Sequence, residues 1–241
     1  TFIFFFIIFF TKNKFKKVFI NPKSYLRAIF EVLTAIFFFT GLILMPMANV
    51  YTLLMTTPFM VTLYAAFFAK EKVGIRRWSA VLAGFIGVII VINPQNLQFG
   101  FLFILPIVSA FFLTMRDAVT KNIVNNKNIL AITLITSIFV MIFSGIGTLI
   151  FDVQYNLKNI HLIFFSSIFL TIAYLFSVLT ILYAPLSLTA SIRYTVIVFG
   201  IIVGYIFLGE IPSANMLVGA IIISASGLFV IKRQKNLGKI N

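Results

Sequence analysis

The chain has 241 residues, 61% of them apolar and only 10% charged, with a mean hydropathy of +1.13. A soluble domain is about half apolar and about a quarter charged, so no water-soluble fold hides this much apolar surface, and the composition reads as a polytopic membrane protein. Lys and Arg number 19 against five Asp and Glu, a formal charge of +14; there is no Cys, and His161 is the single His. Disulfides, thiolate metal sites, Cys nucleophiles and His-cluster metal sites are thereby excluded. The basic excess would suit a nucleic-acid binder, but in a membrane protein it marks cytoplasmic loops. No nucleic acid, cofactor or metal is expected as a partner.

Nine apolar runs follow one another, at about 1–10, 26–45, 48–69, 76–92, 99–117, 129–151, 161–183, 187–208 and 213–231. A spanning helix takes about 20 apolar residues, and all but the first come near that. The run Thr1–Phe10 is half a span. It does not read as a cleaved signal peptide, because its basic residues come after it and no small-residue cleavage site follows. Lys12, Lys14, Lys16, Lys17, Lys23 and Arg27 fall in the first loop, and Lys70, Lys72, Arg76 and Arg77 in the loop two runs later. Arg116, Lys121 and Lys127 come next on the same side, then Lys232, Arg233, Lys235 and Lys239 in the tail. The opposite loops hold only Lys158, and Arg193 lies inside a run. Positive charge stays inside, which predicts a multi-pass protein of the cell membrane, a bacterial inner membrane, with both termini cytoplasmic.

The stretch Pro46–Pro94 recurs as Pro185–Arg233 without a gap: Pro46 to Pro185 and Glu71 to Glu210 are both 139 positions apart. Each copy is an apolar run, a short turn with one Glu, and a second run rich in small residues. Moved back by the same offset, the run at 129–151 would begin before residue 1, and the run at 99–117 would lie wholly before it. The expected fold is therefore an all-α polytopic membrane protein of ten spans, an inverted 5+5 transmembrane-helix repeat, with the first helix and part of the second missing from this chain. An odd number of spans per copy inverts the second copy, as in many secondary transporters. Charge agrees: the counterparts of Lys70, Lys72, Arg76 and Arg77 are Gly209, Ile211, Asn215 and Met216, all uncharged.

The segment RYTVIVFGIIVGYIFLGEIPSANMLVGAIIISASGLFVI (Arg193–Ile231) and the Lys-Glu turn followed by AGFIGVII in the first copy are similar to the repeat-ending pattern of the EamA type of the drug/metabolite transporter superfamily. The resemblance covers essentially the whole chain. It implies a first EamA-like repeat over residues 1–94, truncated at its front, and a second over 95–241. It also implies a cavity between them that passes small metabolites or drugs.

Arg193 is the sharpest candidate for a site. It lies seven residues into its run, about 10 Å deep at 1.5 Å per residue, where a charge faces a cavity or a partner, or snorkels to the headgroups. In the first case it anchors a substrate carboxylate or phosphate. Glu31 reads either as an i,i+4 partner of Arg27 or as the group that neutralises Arg193 and takes a coupling proton. Asn49, Tyr51, Thr57 and Tyr64 on one span, with Tyr174, Tyr183 and Tyr194 in the other half, are candidates to line the cavity, although interfaces collect Tyr as well. Arg116 and Asp117 read as a helix-end pair, Glu71 and Glu210 as first-turn carboxylates at turns, and Pro58 as a kink. Gly84, Gly87, Gly219, Ser224, Ser226 and Gly227 read as close helix packing.

The resulting expectation is a secondary transporter that moves a small polar or amphipathic metabolite, amino-acid-like or nucleoside-like, by alternating access. Its substrate-binding residues would be Arg193, Glu31, Asn49, Tyr51, Tyr174 and Tyr194, its solvent the lipid bilayer, and a proton or ion its candidate coupling partner. The alternatives are a lipid-carrier flippase of the same fold and an intramembrane enzyme. The enzyme is disfavoured because no nucleophile–base pair, carboxylate cluster or metal set is present. The 241-residue chain by itself is expected not to transport, because a first span should line the cavity.

Overall fold

Pro22 opens the first described helix, where its missing N–H would have had no intrahelical partner, and the Asn21 side chain accepts the Lys23 N–H at 3.0 Å. In the computed structural model, residues 21–68, 74–92, 100–125, 129–150, 160–184, 186, 189, 193, 195–209 and 211–236 are described. The run Thr1–Phe10, the turns at Glu71 and Glu210, and Tyr194 lie outside them. The described α-helices are α1 (Pro22–Leu44), α2 (Met47–Leu54), α3 (Thr57–Phe67), α4 (Ile75–Ile92), α5 (Ile104–Ile123), α6 (Ile129–Ile150), α7 (Ile160–Tyr183), α8 (Thr195–Leu208) and α9 (Ala214–Asn236). A short 3-10 turn, Gly100–Phe103, leads into α5, starting from Gly100 at φ 50°. No strand occurs among the described residues. Among the described residues, five segments are long and apolar enough to cross a membrane: Pro22–Leu44, Asn49–Phe67, Gly100–Ile123, Ile129–Ile150 and Ile160–Tyr183. This is a multi-pass membrane protein.

The helices are turned inside out relative to those of a soluble protein. On α1 the buried residues include Ser24, Arg27, Glu31 and Thr34, spaced three and four apart on one face, while Ile29, Ile36, Phe39 and Ile43 are exposed. Lipid solvates Leu and Phe as well as a protein core does, so what must be hidden is the polar stripe. Along α5, Ser109, Thr114, Arg116, Asp117 and Thr120 are buried in the same way. The helix α7 is nearly all apolar, and most of its large side chains are exposed.

Helix ends repeat at the offset read from the sequence. α1 and α7 end at Leu44 and Tyr183, and α4 and α9 begin at Ile75 and Ala214, each pair 139 apart. Two departures from the expected runs are informative. The run at 99–117 continues as helix to Ile123, which puts Arg116, Asp117 and Lys121 inside α5 rather than in a loop. Arg27, too, lies inside a helix, α1.

The second departure is that the span after Pro46 is interrupted, and that the chain turns at Arg193 before α8. Pro58 has no N–H for the Leu54 carbonyl, and its ring crowds that carbonyl. The helix therefore stops at Leu54 and resumes at Thr57. Tighter bonds bridge the gap, from Met55 N–H to Thr52 O at 3.0 Å and from Thr56 N–H to Leu53 O at 3.1 Å. The Thr57 hydroxyl donates to the orphaned Leu54 carbonyl at 2.6 Å. In the second copy the chain turns at Arg193, whose carbonyl accepts the Val196 N–H at 3.0 Å, before α8 begins at Thr195.

The chain forms two compact units, Thr1–Val32 with Met115–Ala184, and Leu33–Thr114 with Pro185–Asn241. Each draws on both sides of residue 94, so compactness and sequence repetition divide the chain differently. The first unit packs Ala28, Ile123, Ala131, Ile132 and Ile135 together, flanked by Tyr25 and Phe139, whose rings lie 5.8 Å apart. In the second, α4 runs tightly against α9. A Cβ added to Gly87 would stand 2.8 Å from an Ile223 side-chain carbon and 3.0 Å from the Gly219 carbonyl oxygen. Such contact is how small residues let helices approach in lipid. Nearby, Met55, Val88, Ala220 and Ile223 form a buried cluster.

Gly87→Ala is expected to destabilise the protein by about 1–3 kcal/mol, the usual cost of overpacking, because a backbone carbonyl cannot yield. Gly147→Ala, with nothing within 4 Å of the added carbon, should be close to neutral. Thermal melts of the two variants in one detergent check the contrast, and equal midpoints would show that α4 and α9 are not in close contact.

Candidate functional site

In the first unit four helices bring ionic and hydroxyl groups together out of contact with lipid. Arg27 and Glu31 stand one turn apart on α1. Arg116, Asp117, Thr120 and Lys121 come from the last two turns of α5, Thr136 from α6 and Tyr174 from α7. Arg116 is the hub. Its Nη1 donates to both Glu31 oxygens, at 2.8 and 3.1 Å, and its Nε and Nη2 both donate to Asp117 Oδ1, at 2.9 and 2.7 Å. The Tyr174 hydroxyl hydrogen-bonds Glu31 as well. Arg116, Glu31 and Asp117 are 6%, 6% and 2% exposed. One guanidinium fork thus serves two carboxylates, the geometry for which Arg is suited and Lys is not.

Arg27 is fully buried. Its Nε donates to Thr120 Oγ1 at 2.9 Å and its Nη1 to Thr136 Oγ1. Those hydroxyls pass their own protons to the carbonyls of Arg116, at 2.6 Å, and Ile132, at 2.8 Å. Lys121 donates to the Ile181 and Ala184 carbonyls, both at 2.9 Å, at the C-terminus of α7. A cation there meets the free carbonyls and the negative end of the helix dipole.

The second unit holds the other described candidates. Tyr51 on α2 meets the Phe38 ring edge-on at 5.4 Å and lies against Gly200 on α8, where an added Cβ would stand 3.2 Å from the Tyr51 ring. Asn49 is half-buried on α2, and Arg193 is half-buried in the turn before α8. At the other interruption Thr56 is 5% exposed and its hydroxyl has no hydrogen-bond partner.

Several sequence expectations change here. Glu31 pairs with Arg116, not with Arg27, because α5 brings a guanidinium square onto its carboxylate while Arg27 is held by two Thr hydroxyls. Arg116 and Asp117 are buried a turn and a half or more from the helix end, so they are not an interfacial end pair. Arg193 caps a turn rather than standing in the middle of a helix. Glu31 and Tyr174 do come together, but Arg193, Asn49 and Tyr51 belong to the other unit. Arg27, Thr120 and Thr136 escaped the sequence reading. The available signal was the buried spacing Ser24, Arg27, Glu31, Thr34, a polar stripe at helical period in a helix otherwise of Leu, Ile and Phe.

Removing Arg116 would leave two carboxylates buried without a partner. Arg116→Met is expected to cost about 3–5 kcal/mol, as for other broken buried pairs. Adding Glu31→Gln and Asp117→Asn should recover most of that loss. Denaturant titration of the single and triple variants in detergent is the check, and equal stability of the two would deny the charges their part in the fold.

Residues 1–93 match the EamA-like transporter family. The chain is 25% identical over 195 residues to a riboflavin transporter of Rhizobium johnstonii, covering 80% of this chain and 65% of that protein. It is 25% identical over 197 residues to an S-adenosylmethionine uptake transporter of Rickettsia bellii, covering 81% of this chain and 67% of that one. A riboflavin transporter of Vibrio cholerae is 38% identical over 71 residues, 30% of this chain and 24% of its own length. The chain therefore spans about two thirds of the length of the curated relatives it matches most fully. A protein of known crystal structure superposes with a TM-score of 0.69 at 14% identity over 92% of this chain and 80% of its own, which shows a shared fold. At its front, over residues 1–93, the chain is similar to the EamA-like transporters.

Proposed function

We propose that the protein is a secondary transporter of a small metabolite, built from two inverted five-helix halves and working by alternating access. Its relatives bear the names of riboflavin and S-adenosylmethionine uptake transporters. Both of those compounds join a flat heteroaromatic system to a polar chain, which matches the nucleoside-like class read from the sequence. The carrying observation is the interruption at Met55 and Thr56 together with the turn at Arg193, which stands just before their counterparts 139 positions on, 194 and 195. Non-helical backbone at membrane depth persists only where protein buries it or it lines a water-filled space. Interrupted helices at matching positions of two repeats are the usual seat of a transporter's substrate and coupling ion.

In this reading Arg193 receives an anionic group of the substrate, Tyr51 offers an aromatic face, and Asn49 supplies a hydrogen bond. Glu31 and Tyr174 are the further substrate-facing pair, with Tyr194 beside Arg193 in the sequence. The membrane is the cell membrane, both termini face the cytoplasm, and a proton or ion is the coupling partner.

The test is counterflow of labelled riboflavin, S-adenosylmethionine, nucleosides and amino acids into proteoliposomes that hold the intact protein, since the 241-residue chain by itself is expected not to transport. Saturable flux of at least one compound is expected. Arg193→Ala should lower it on the order of 10–100-fold, the worth of a hydrogen bond to a charged group, with unchanged membrane content. Flux of the variant at the wild-type rate removes Arg193 from the site. No saturable flux of any panel member through the folded wild type overturns the transporter reading.

A further inference from the structure

Arg27 is held on one side only. A guanidinium carries five N–H donors. Nε and Nη1 of Arg27 are taken up by Thr120 and Thr136, while Nη2 is buried with no hydrogen-bond partner. The side chain is 0% exposed, so water at the protein surface does not serve it. A buried donor without an acceptor is costly, more so when it is charged. The nearby acids do not relieve it: both Glu31 oxygens accept from Arg116, and Asp117 Oδ1 accepts from Arg116 twice. The charges tell the same story. Arg27, Arg116 and Lys121 are three cations against the two carboxylates Glu31 and Asp117, and Lys121 rests on carbonyls. Among the described residues of this cluster, one positive charge therefore lacks an acid.

We infer that the Nη2 edge of Arg27 is an oxyanion-binding site, which receives a carboxylate or a phosphate monoester on the buried polar cluster of α1, α5, α6 and α7. An oxyanion supplies the missing acceptor and the missing negative charge together. A neutral carbonyl supplies only the first, and an ammonium group supplies neither. The planar fork suits a planar or tetrahedral oxyanion better than a spherical halide. The two Thr hydroxyls are already fixed by their backbone carbonyls, so they hold the guanidinium plane in one orientation and the free edge in one direction. The inference rests on the transporter reading for the fate of the ligand, since it assigns the part of a metabolite that this unit grips.

The experiment uses matched pairs of probes that differ only in the oxyanion: L-methionine with its methyl ester, and adenosine 5′-monophosphate with adenosine. Binding is read by thermal shift and by calorimetry on the purified protein, and flux is read separately in proteoliposomes. At least one oxyanion probe should bind about tenfold or more tightly than its partner that lacks the oxyanion, and the pair that discriminates identifies carboxylate or phosphate as the source. Arg27→Lys keeps the positive charge but loses the fork, and it should bring that ratio down to within about twofold. Arg27→Gln is the second variant, and if it does not fold, the wild-type ratio and the Lys variant still decide. Equal binding within both pairs by the wild type overturns the inference, as expected if only an internal water satisfies Nη2. A ratio preserved in Arg27→Lys overturns it as well. Discrimination without flux supports the site and removes the transporter reading, whereas flux without discrimination removes the site and leaves that reading standing.

Discussion

Arg116 joins two carboxylates through one guanidinium, and the first unit depends on that junction more than on any apolar contact. In lipid the side chains of Leu, Ile and Phe gain little by leaving the solvent. Association must come from close packing and from polar groups that have nowhere else to go. The pairing of Arg116 with Glu31 and Asp117 supplies the second kind of force between α1 and α5. Once those charges are inside, the neighbouring hydroxyls follow, because each buried donor or acceptor needs its own partner. Thr120 and Thr136 serve Arg27 while they stay bonded to their own helices, so the network adds no unsatisfied hydroxyl where it meets the guanidinium.

The second unit is held by the other force. α4 and α9 meet where Gly87 leaves room for Gly219 and Ile223, and aromatic pairs such as Phe59 with Phe85, 5.0 Å apart, fill the space beside them. Ser109 reaches the Thr34 carbonyl at 3.0 Å and Phe37 stacks on Phe112, joining α1 and α5 through one hydrogen bond and one ring contact. No ion pair is needed for such contacts. Rigid charge in one unit and close-packed small residues in the other are two solutions to the same lack of a hydrophobic drive.

Much of the helix layout was legible in the sequence because lipid imposes a length on every span. The bounds of α1, α4, α6, α7 and α9 fall within a few residues of the apolar runs, apart from α1 starting four residues early and α9 ending five late. The run at 99–117 failed at its end for a physical reason. Arg116 and Asp117 looked like the point where a helix meets water, since a charge normally marks that boundary. Their charges instead cancel inside the protein, so the helix carries them and runs on to Ile123. Counting Arg27 as a loop residue is the same error: topology rules read charge as exposure, and a paired or hydroxyl-bound Arg is the case in which that equation does not hold. Which arginine would pair with Glu31 was open for a different reason, because contacts between α1 and α5 join residues 85 positions apart, beyond any local periodicity.

The interrupted spans show how one backbone feature can arise from unlike sequences. In the first copy Pro58 ends α2 at Leu54 by removing a donor and crowding a carbonyl. Its counterpart 139 residues on is Ile197, which sits in α8 and does neither. The turn at Arg193 therefore has no proline behind it, yet it stands one position short of the counterpart of the first break. A break that survives the loss of its local cause is held by its surroundings. There α2 and α8 pack together through Tyr51 and Gly200, and Met55 of the first break joins a cluster flanked by Val196 and Ile201 of α8. Had propensity alone set the break, an Ile in place of Pro would have restored a continuous helix. Its persistence ties the interruption to packing around α2 and α8, and a polar residue, Arg193, stands where an apolar helix would otherwise have been sufficient.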